Sequence, residues 1–313
     1  MAYTGINDPR LFVNKQPGGM FSVRDVAETP GKVFYLGAGV TGASDSSGYG
    51  QSPGTPVATL DYAVAKCTAG RGDTIYVMPG HNEGKADAQW DLDVADISVI
   101  GLGRGTSRPI FDFDHANASM NIGASNITVR NITLRPSITD VLIGIDVEAA
   151  STDTLLEDVE VLEGEDAAGD NELAAGIELK AGCDRTTIRR FLSASHASTA
   201  GEVSPIHING VSDRTFIDDC WIEANGAGLT GCIVGTGNST RTLIRNCILY
   251  ADAEEVISMA AGATGILSNI LCYTDVDTIL HSIVAAGFAW HNVQYIEVAS
   301  ESGVVVGTPS AND

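Results

Sequence analysis

The chain has 313 residues, of which 44% are hydrophobic, enough for one sizeable core. It carries 40 acidic and 18 basic residues, and the resulting net charge of −22 would repel a nucleic-acid backbone or an anionic membrane surface. The first residues lack a secretion signal, and no apolar run approaches the roughly 18 residues of a membrane-spanning helix. We therefore expect no nucleic-acid partner, no membrane insertion and synthesis in the cytoplasm.

Residues 1–32 are predicted to form an irregular N-terminal arm. Three prolines and a Gly-Gly pair fall in this stretch, and its apolar residues show no periodicity. Proline and glycine at this density interrupt regular elements. We expect the arm either to wrap the protein's own flank or to dock elsewhere.

A short helix is predicted soon after the arm. Residues 59–67 read TLDYAVAKC and place Leu60, Ala63, Val64 and Cys67 on one helical face. Stacked β-coils expose strand edges at their ends, and these ends need caps. We expect this helix to cover the N-terminal mouth of the repetitive region that follows.

Eight segments of that region repeat one pattern. They align on Gly101, Asn131, Asp158, Arg190, Asp219, Asn246, Asn269 and Asn292. The residues two before and one after each anchor are all apolar, whereas the residue just before it is polar or charged in seven segments. This period-two alternation is typical of a half-buried strand. The pattern therefore predicts an all-β solenoid of stacked parallel coils.

The anchors themselves predict a sharp bend in each coil. Asn or Asp stands at most of them and Gly at another, and these residue types best tolerate left-handed backbone angles. Stacked Asn side chains are also expected to hydrogen-bond along the axis. Cys220 and Cys247 fall in one inward column, and no cysteine shows the spacing of a zinc site or a redox dithiol. We expect buried free thiols and no cofactor.

A second strand is predicted in seven segments: IFDFD, GIDVE, GIELK, PIHIN, GCIVG, VISMA and ILHSI. Their outward residues would form one column of Asp112, Asp146, Glu178, His207, Ile233, Ser258 and His281, and another of Asp114, Glu148, Lys180, Asn209 and Gly235. One face of the solenoid is therefore predicted to be acidic toward its N-terminal end.

Residues 33–80 read VFYLGAGVTGASDSSGYGQSPGTPVATLDYAVAKCTAGRGDTIYVMPG. This segment resembles the opening of pectate-lyase-like β-helix proteins, many of which are phage tailspikes and other virion proteins. The resemblance implies a single-stranded right-handed parallel β-helix over residues 33–300, and a homotrimer. Residues 301–313 are predicted to be a C-terminal strand and tail, because the apolar segment GVVVG at 303–307 could close the last coil or pair with a neighbouring chain. A fold alone does not fix a function.

Asp146 and Glu178 are the catalytic candidates. Neighbouring coils stack about 4.8 Å apart, so the two carboxylates could approach the roughly 5 Å separation of a retaining glycosidase pair. Lys180 and His207 would lie beside them. The alternative interpretation is that an acidic protein simply places solvated carboxylates at outward positions.

Two other acidic motifs are weaker candidates. Asp112 and Asp114 could hold a hard cation from one strand face, although two carboxylates without further oxygen donors make a poor site. The doublet Asp218-Asp219 occurs in polygalacturonase-like enzymes, but the companion motifs of that family are missing. We interpret this doublet as structural.

Two functions fit these observations. The absence of complete catalytic motif sets favours a non-enzymatic structural virion protein of a tailed bacteriophage, either a capsid decoration (cement) protein or a tail component. It would contact other virion proteins and join the virion after synthesis in the host cytoplasm. The alternative is a tailspike-like polysaccharide depolymerase, a lyase or a glycoside hydrolase, acting on a host surface glycan. Residues 163–176 and 195–205 would flank its groove as walls or form a trimer contact.

Overall fold

The computed structural model describes residues 12–15, 21–23, 31–85, 89–139, 141–162, 171–194, 204–224, 230–251, 255–274 and 283–297. Its strands are β1 (Phe12–Lys15), β2 (Phe21–Val23), β3 (Val33–Leu36), β4 (Asp73–Val77), β5 (Asn82–Lys85), β6 (Trp90–Leu92), β7 (Ile97–Gly101), β8 (Ile110–Phe113), β9 (Met120–Ile122), β10 (Thr128–Pro136), β11 (Val141–Val147), β12 (Leu155–Leu162), β13 (Leu173–Lys180), β14 (Thr187–Arg189), β15 (Leu192–Ala194), β16 (Ser204–Asn209), β17 (Phe216–Asp218), β18 (Trp221–Ala224), β19 (Ile233–Gly235), β20 (Thr242–Arg245), β21 (Ile248–Ala251), β22 (Ile257–Met259), β23 (Gly265–Thr274), β24 (Ile283–Val284) and β25 (Phe288–Glu297). One α-helix, α1 (Leu60–Ala65), and one short 3₁₀ turn (Gly105–Ser107) accompany them.

From β3 onward, every strand pair in the described residues is parallel, and the strands stack into three faces. Sheet 1 holds the strands before each anchor, and sheet 2 holds those after it. Long strands such as β10 and β23 run through both, so the two faces form one continuous 15-stranded sheet. Sheet 3 has eight strands in the order β24-β22-β19-β16-β13-β11-β9-β6. The chain is thus a right-handed parallel β-helix, as the sequence predicted.

The predicted inward columns form the core. Val129, Ile217 and Ile244 in the column before the bend are fully buried, and Ile132 and Phe191 after the bend are 0% and 1% exposed. None of the six cysteines, all of which lie within the described residues, forms a disulfide bond, and five of them are buried. Cys220 and Cys247 lie in the predicted inward column, so their thiols serve as small apolar core groups.

The predicted bends are confirmed at seven of the eight anchors, all of which have φ between 50° and 57°. Gly101 is the exception, because its φ is not positive. Glycine is needed there for space, since a Cβ would lie 1.9 Å from the carbonyl oxygen of Asn131. The predicted Asn stacking also occurs: Asn269 donates to Asn246 at 3.1 Å, and Asn292 donates to Asn269 at 2.9 Å.

The coils contain a second column of bends, which the repeat pattern did not predict. Five residues before each of six anchors, another residue adopts positive φ: Asp96, Asn126, Asp153, Arg185, Arg214 and Arg241. The stack of coils also begins before the first predicted anchor, because Gly101 pairs with Val77 in β4 and Val77 pairs with Leu36 in β3. The solenoid therefore begins with β3 and β4, ahead of the eight predicted repeats.

The predicted capping helix is present as α1 and packs against β3 and β6. Thr59 is its N-cap and accepts a hydrogen bond from the amide of Tyr62. The buried carboxylate of Glu83 accepts from the amide of Leu60 at 3.0 Å and from Trp90 Nε1 at 2.9 Å. Burial raises the pKa of Glu83 to about 7. The helix is thereby tied to the first coils.

The chain ends are described only in part. Within the arm, β1 and β2 pair antiparallel, a feature that the sequence analysis did not predict. The apolar segment 303–307 lies outside the described residues, and the division into residues 1–32, 33–300 and 301–313 stays a prediction. Across the parts of the chain that the structure describes, no helix has the length and apolar character needed to cross a membrane.

Candidate functional site

The candidate carboxylates lie on the outward side of sheet 3. Each strand there has a central outward residue between two inward apolar ones, as in Ile145-Asp146-Val147 and Ile177-Glu178-Leu179. The register pairs Asn121 with Asp146, Asp146 with Glu178, and Glu178 with His207. We call Asp91, Asn121, Asp146, Glu178 and His207 the acidic strip. This register confirms the prediction that Asp146, Glu178 and His207 lie in one outward column.

Asp146 is a buried carboxylate with an incomplete set of partners. Its side chain is 5% exposed, and Oδ2 accepts a hydrogen bond from Lys180 Nζ at 2.8 Å. Lys180 also donates to Glu148 at 3.0 Å. Burial raises the pKa of Asp146, Lys180 lowers it less strongly, and the charges of Glu148 and Glu178 raise it further. The protonated form of Asp146 is therefore favoured relative to a solvated aspartate.

Glu178, one coil further on, has the opposite electrostatic environment. His207 Nδ1 lies 3.5 Å from Oε2, and Asn209 donates to Oε1 at 3.1 Å. The hydrogen bond from His207 lowers the pKa of Glu178 more than burial raises it, and Asn209 and Lys180 lower it further. Two adjacent carboxylates thus have pKa values displaced in opposite directions.

A small pocket of about 120 Å³ with mixed polar and apolar lining borders Asp146. Ser119, Asn117 and Gln89 also line it. Asp146 Oδ1 and Ser119 Oγ are both buried and find no hydrogen-bond partner among the described residues. Buried polar atoms without partners are rare in folded proteins and mark places where water or a ligand supplies the missing bond.

The predicted outward columns are wrong at two of their strands. Asp112 and Asp114 do not precede Asp146, because IFDF forms β8, which pairs with β5 and β10 outside sheet 3. The neighbouring position is Asn121, which lies between Met120 and Ile122 in β9. Both segments alternate in polarity, so alternation could not choose between them.

The second error is a shift of one residue in β19. Val234 pairs with His207, whereas Ile233 pairs with the inward Ile206. Gly235 pairs with the inward Ile208, and Thr236 is the residue that contacts Asn209, at 3.4 Å. The acidic strip therefore ends at His207. His281, predicted further along this column, lies outside the described residues.

The predicted cation candidates do not form a shared site. Both oxygens of Asp112 accept from Arg135, at 2.5 and 2.7 Å, whereas Asp114 is exposed. In the described part of the chain, no three His, Cys, Asp or Glu side chains are grouped so that they could hold a metal ion. Of the predicted flanking loops, 163–170 and 195–203 lie outside the described residues.

Sheet 1 carries a second outward column of charges. Arg130, Glu157, Arg189, Asp218 and Arg245 occupy paired positions on five successive coils, and we call them the ion ladder. Successive members are 3.1, 3.5, 3.6 and 2.9 Å apart. Of the Asp218-Asp219 doublet, Asp218 belongs to this ladder and Asp219 forms a bend, and its structural role stays a prediction.

Comparison with known proteins supports the fold. A solved structure described as a rhamnogalacturonan lyase superposes with a TM-score of 0.55 at 13% sequence identity, covering 78% of this chain and 69% of its own. No protein-family model matches the chain, and a search of the curated proteins found no match. The comparison therefore supports the parallel β-helix fold, and the likeness extends to the fold alone.

Proposed function

We propose that this protein cleaves a polysaccharide with the pair Asp146 and Glu178. One observation carries the proposal: two in-register carboxylates on adjacent coils have pKa values displaced in opposite directions. Such a pair is how glycoside hydrolases separate a general acid from an ionised carboxylate. The structural neighbour named as a rhamnogalacturonan lyase adds support, because that protein uses the same fold on a polysaccharide.

The assignment of roles follows from the two environments. Asp146, whose pKa is raised, donates its proton to the leaving glycosidic oxygen. Glu178, whose pKa is lowered, attacks the anomeric carbon and forms a glycosyl ester. Water then cleaves the ester, Asp146 takes up the proton of that water, and the anomeric configuration is retained. Lys180 and His207 hold the two carboxylates in place.

Reducing-end release from a panel of acidic and neutral polysaccharides tests this proposal. We expect Glu178→Gln and Asp146→Asn each to reduce kcat/KM by about 10³-fold or more, because each removes a group that acts on the reacting bond. Glu223→Gln is the matched control, since Glu223 lies on sheet 2 and its carboxylate accepts from Trp221. Its activity should equal that of the wild type.

The products discriminate between mechanisms. Saturated products with retained anomeric configuration support hydrolysis by this pair. Unsaturated, ultraviolet-absorbing products would contradict it, because they require elimination. Activity that survives in Glu178→Gln would also refute the proposed roles.

A second candidate function is that of a non-enzymatic component of a phage particle, assembled as a homotrimer. The observation that favours it is a set of exposed apolar side chains on the C-terminal coils. On sheet 1, Phe216 and Ile266 are 37% and 47% exposed, and Trp221 on sheet 2 is 49% exposed. Exposed apolar patches of this kind commonly mark protein interfaces.

Mass measurement in solution tests this second candidate. We expect a trimer whose subunits separate in a Trp221→Lys, Ile266→Lys double variant, while Val211→Lys, at an exposed apolar position in another part of the surface, leaves the mass unchanged. A monomeric wild type would refute the trimer. Mass spectrometry of purified particles would test the location: hundreds of copies indicate decoration of a capsid, and a handful indicate the tail.

A further inference from the structure

An arginine-lined pocket of about 500 Å³ lies on sheet 1, at the N-terminal end of the ion ladder. Arg104, Arg108 and Arg130 line it, and Asp158 is the one carboxylate in its lining. Three arginines in one pocket are unexpected in a chain with 40 acidic and 18 basic residues. The pocket has the size of ordinary small-molecule sites, about 300–1,000 Å³, and is larger than a simple ion needs.

The position of Arg130 in the ladder explains why it can bind a further anion. Each inner member of the ladder lies between two opposite charges, but Arg130 is the first member and has carboxylates on one side only, Glu157 at 3.1 Å and Asp158 at 3.6 Å. On its other side the register places Ile100, which carries no charge. The side chain of Arg130 is 48% exposed. The ladder therefore ends in a cation that lacks one flanking carboxylate.

The other two arginines also keep free hydrogen-bonding capacity. Arg104 makes no side-chain hydrogen bond or ion pair within the described ranges, and it is exposed. Arg108 donates from Nη1 to Glu160 at 2.8 Å, but its buried Nε has no partner in the described structure. Asp158 accepts two hydrogen bonds from Arg190, at 2.5 and 3.0 Å, and lies 3.6 Å from Arg130. Among the described residues, the unpartnered donors of the lining are therefore the guanidinium of Arg104 and Nε of Arg108.

The floor of the pocket is bare backbone that is held in place. Asn131 Nδ2 donates to the carbonyls of Gly101 at 2.7 Å and Gly103 at 3.1 Å. Gly103 has φ of 106°, and a Cβ there would lie 2.3 Å from the carbonyl oxygen of Ser107. This loop conformation therefore requires glycine. A planar guanidinium binds an oxyanion through two parallel hydrogen bonds, and the fixed floor leaves room for the body of a sugar.

We propose that this pocket binds a saccharide that bears an oxyanion, with the charged group between Arg104 and Arg130 and the sugar ring over the glycine floor. The anion can be a carboxylate or a phosphate, since guanidinium groups recognise both in the same way. The pocket lies on sheet 1, whereas the proposed cleavage site lies on sheet 3. The binding therefore does not depend on the cleavage.

Calorimetric titration tests the pocket directly. The probes are a galacturonate trisaccharide, a sugar phosphate, a neutral trisaccharide and inorganic phosphate, each added to the Glu178→Gln protein so that no ligand is cleaved. We expect at least one of the two charged saccharides to bind, and Arg104→Ala to weaken its binding at least about tenfold, as the loss of a charge-assisted hydrogen bond does. Higher salt should weaken the binding further.

The matched control is Arg214→Ala. It removes the same charge from an exposed bend on the same solenoid, and Asp213, its partner, keeps its ion pair with Arg241. Unchanged affinity in this variant supports a local effect. Equal binding of the neutral trisaccharide, binding of inorganic phosphate alone, or an Arg104→Ala protein with wild-type affinity would each overturn the proposal. Cleavage activity is measured separately, so failure of one proposal leaves the other testable.

Discussion

The ion ladder and the acidic strip use the same scaffold in opposite ways. Both are outward columns in which each side chain meets its neighbours on adjacent coils, about 4.8 Å apart. In the ladder, Asp218 lies between Arg189 and Arg245, and the hydrogen bonds from Arg245 lower the pKa of Asp218 against the effect of burial. In the strip, Asp146 has a carboxylate neighbour in Glu178, and burial raises its pKa.

The difference shows which carboxylates stabilise the fold. A carboxylate between two arginines is satisfied in its ionised form and contributes to stability. A buried carboxylate beside another one is held in a state that folding alone does not favour. Groups of the second kind are concentrated at functional sites. This division between the two kinds of carboxylate can be tested through the free energy of unfolding.

The largest effect is expected from removing the charge of Asp218. Asp218→Asn leaves Arg245 and Arg189 without their shared carboxylate, and we expect the free energy of unfolding to fall by about 2 kcal/mol. Asp146→Asn should change it by less than about 1 kcal/mol, because Lys180 keeps Glu148 and a poorly tolerated charge is removed. Urea unfolding of the two variants measures the contrast. Equal losses would show that the strip is as structural as the ladder.

A smaller effect is expected in the way the free energy of unfolding depends on pH. Since the folded pKa of Asp218 is lowered, its contribution is present above the unfolded value of about 3.9 and is lost as the pH falls through the folded pKa. The deficit of Asp218→Asn should therefore disappear in strong acid.

Asp146 should behave in the opposite sense. Its folded pKa is raised, so ionisation destabilises the fold above that pKa, and the penalty is relieved as the pH falls through it. The melting temperature of Asp146→Asn should exceed that of the wild type at pH 8, and this difference should disappear toward pH 4. Melting temperatures from pH 8 to pH 2 measure both variants. A difference between Asp146→Asn and the wild type that does not vary with pH would contradict the raised pKa.

The sequence predicted the scaffold because its signals are local. Val129 and Ile132 around Asn131 define an inward pair and a bend within four residues, and the same pattern recurs on every later coil. The alternation of polar and apolar residues along a strand, and the tolerance of a residue for left-handed backbone angles, depend on residue type. Both can be recognised without knowing which coils lie next to each other. It was harder to predict which strands stack in one column. IFDF and MNI both alternate in polarity, and because the turns differ in length, the sequence does not show which of the two stacks on Ile145-Asp146-Val147.

The site was predictable only in part. Asp146, Glu178 and His207 could be placed in one column from their apolar neighbours, but the directions of their pKa shifts depend on burial and on Lys180 and Asn209. The alternating charges of the ladder were visible in the sequence and were interpreted only as polar positions. Charge alternation across a repeat of unequal length becomes meaningful once the register is known.

The smallest effect is expected at two bends that share a backbone conformation and differ in their contacts. Arg214 and Arg190 have φ of 58° and 50°, a region that costs an L-residue about 1–2 kcal/mol and glycine almost nothing. Arg214 contacts Asp213, which Arg241 also holds. Arg214→Gly should therefore stabilise the protein by about 0.5 kcal/mol, once the greater freedom of glycine in the unfolded chain is subtracted.

Arg190→Gly is the informative partner of that variant, because Arg190 donates to Asp158 at 2.5 Å and lies 2.8 Å from Glu157, a member of the ladder. The same relief of backbone strain is available there, but two charge-assisted contacts are lost, so we expect a net loss of about 1 kcal/mol. Parallel urea titrations measure both variants. If both stabilised the protein, backbone strain would outweigh the arginine contacts, and the neutralised charges on sheet 1 could not be the source of its stability.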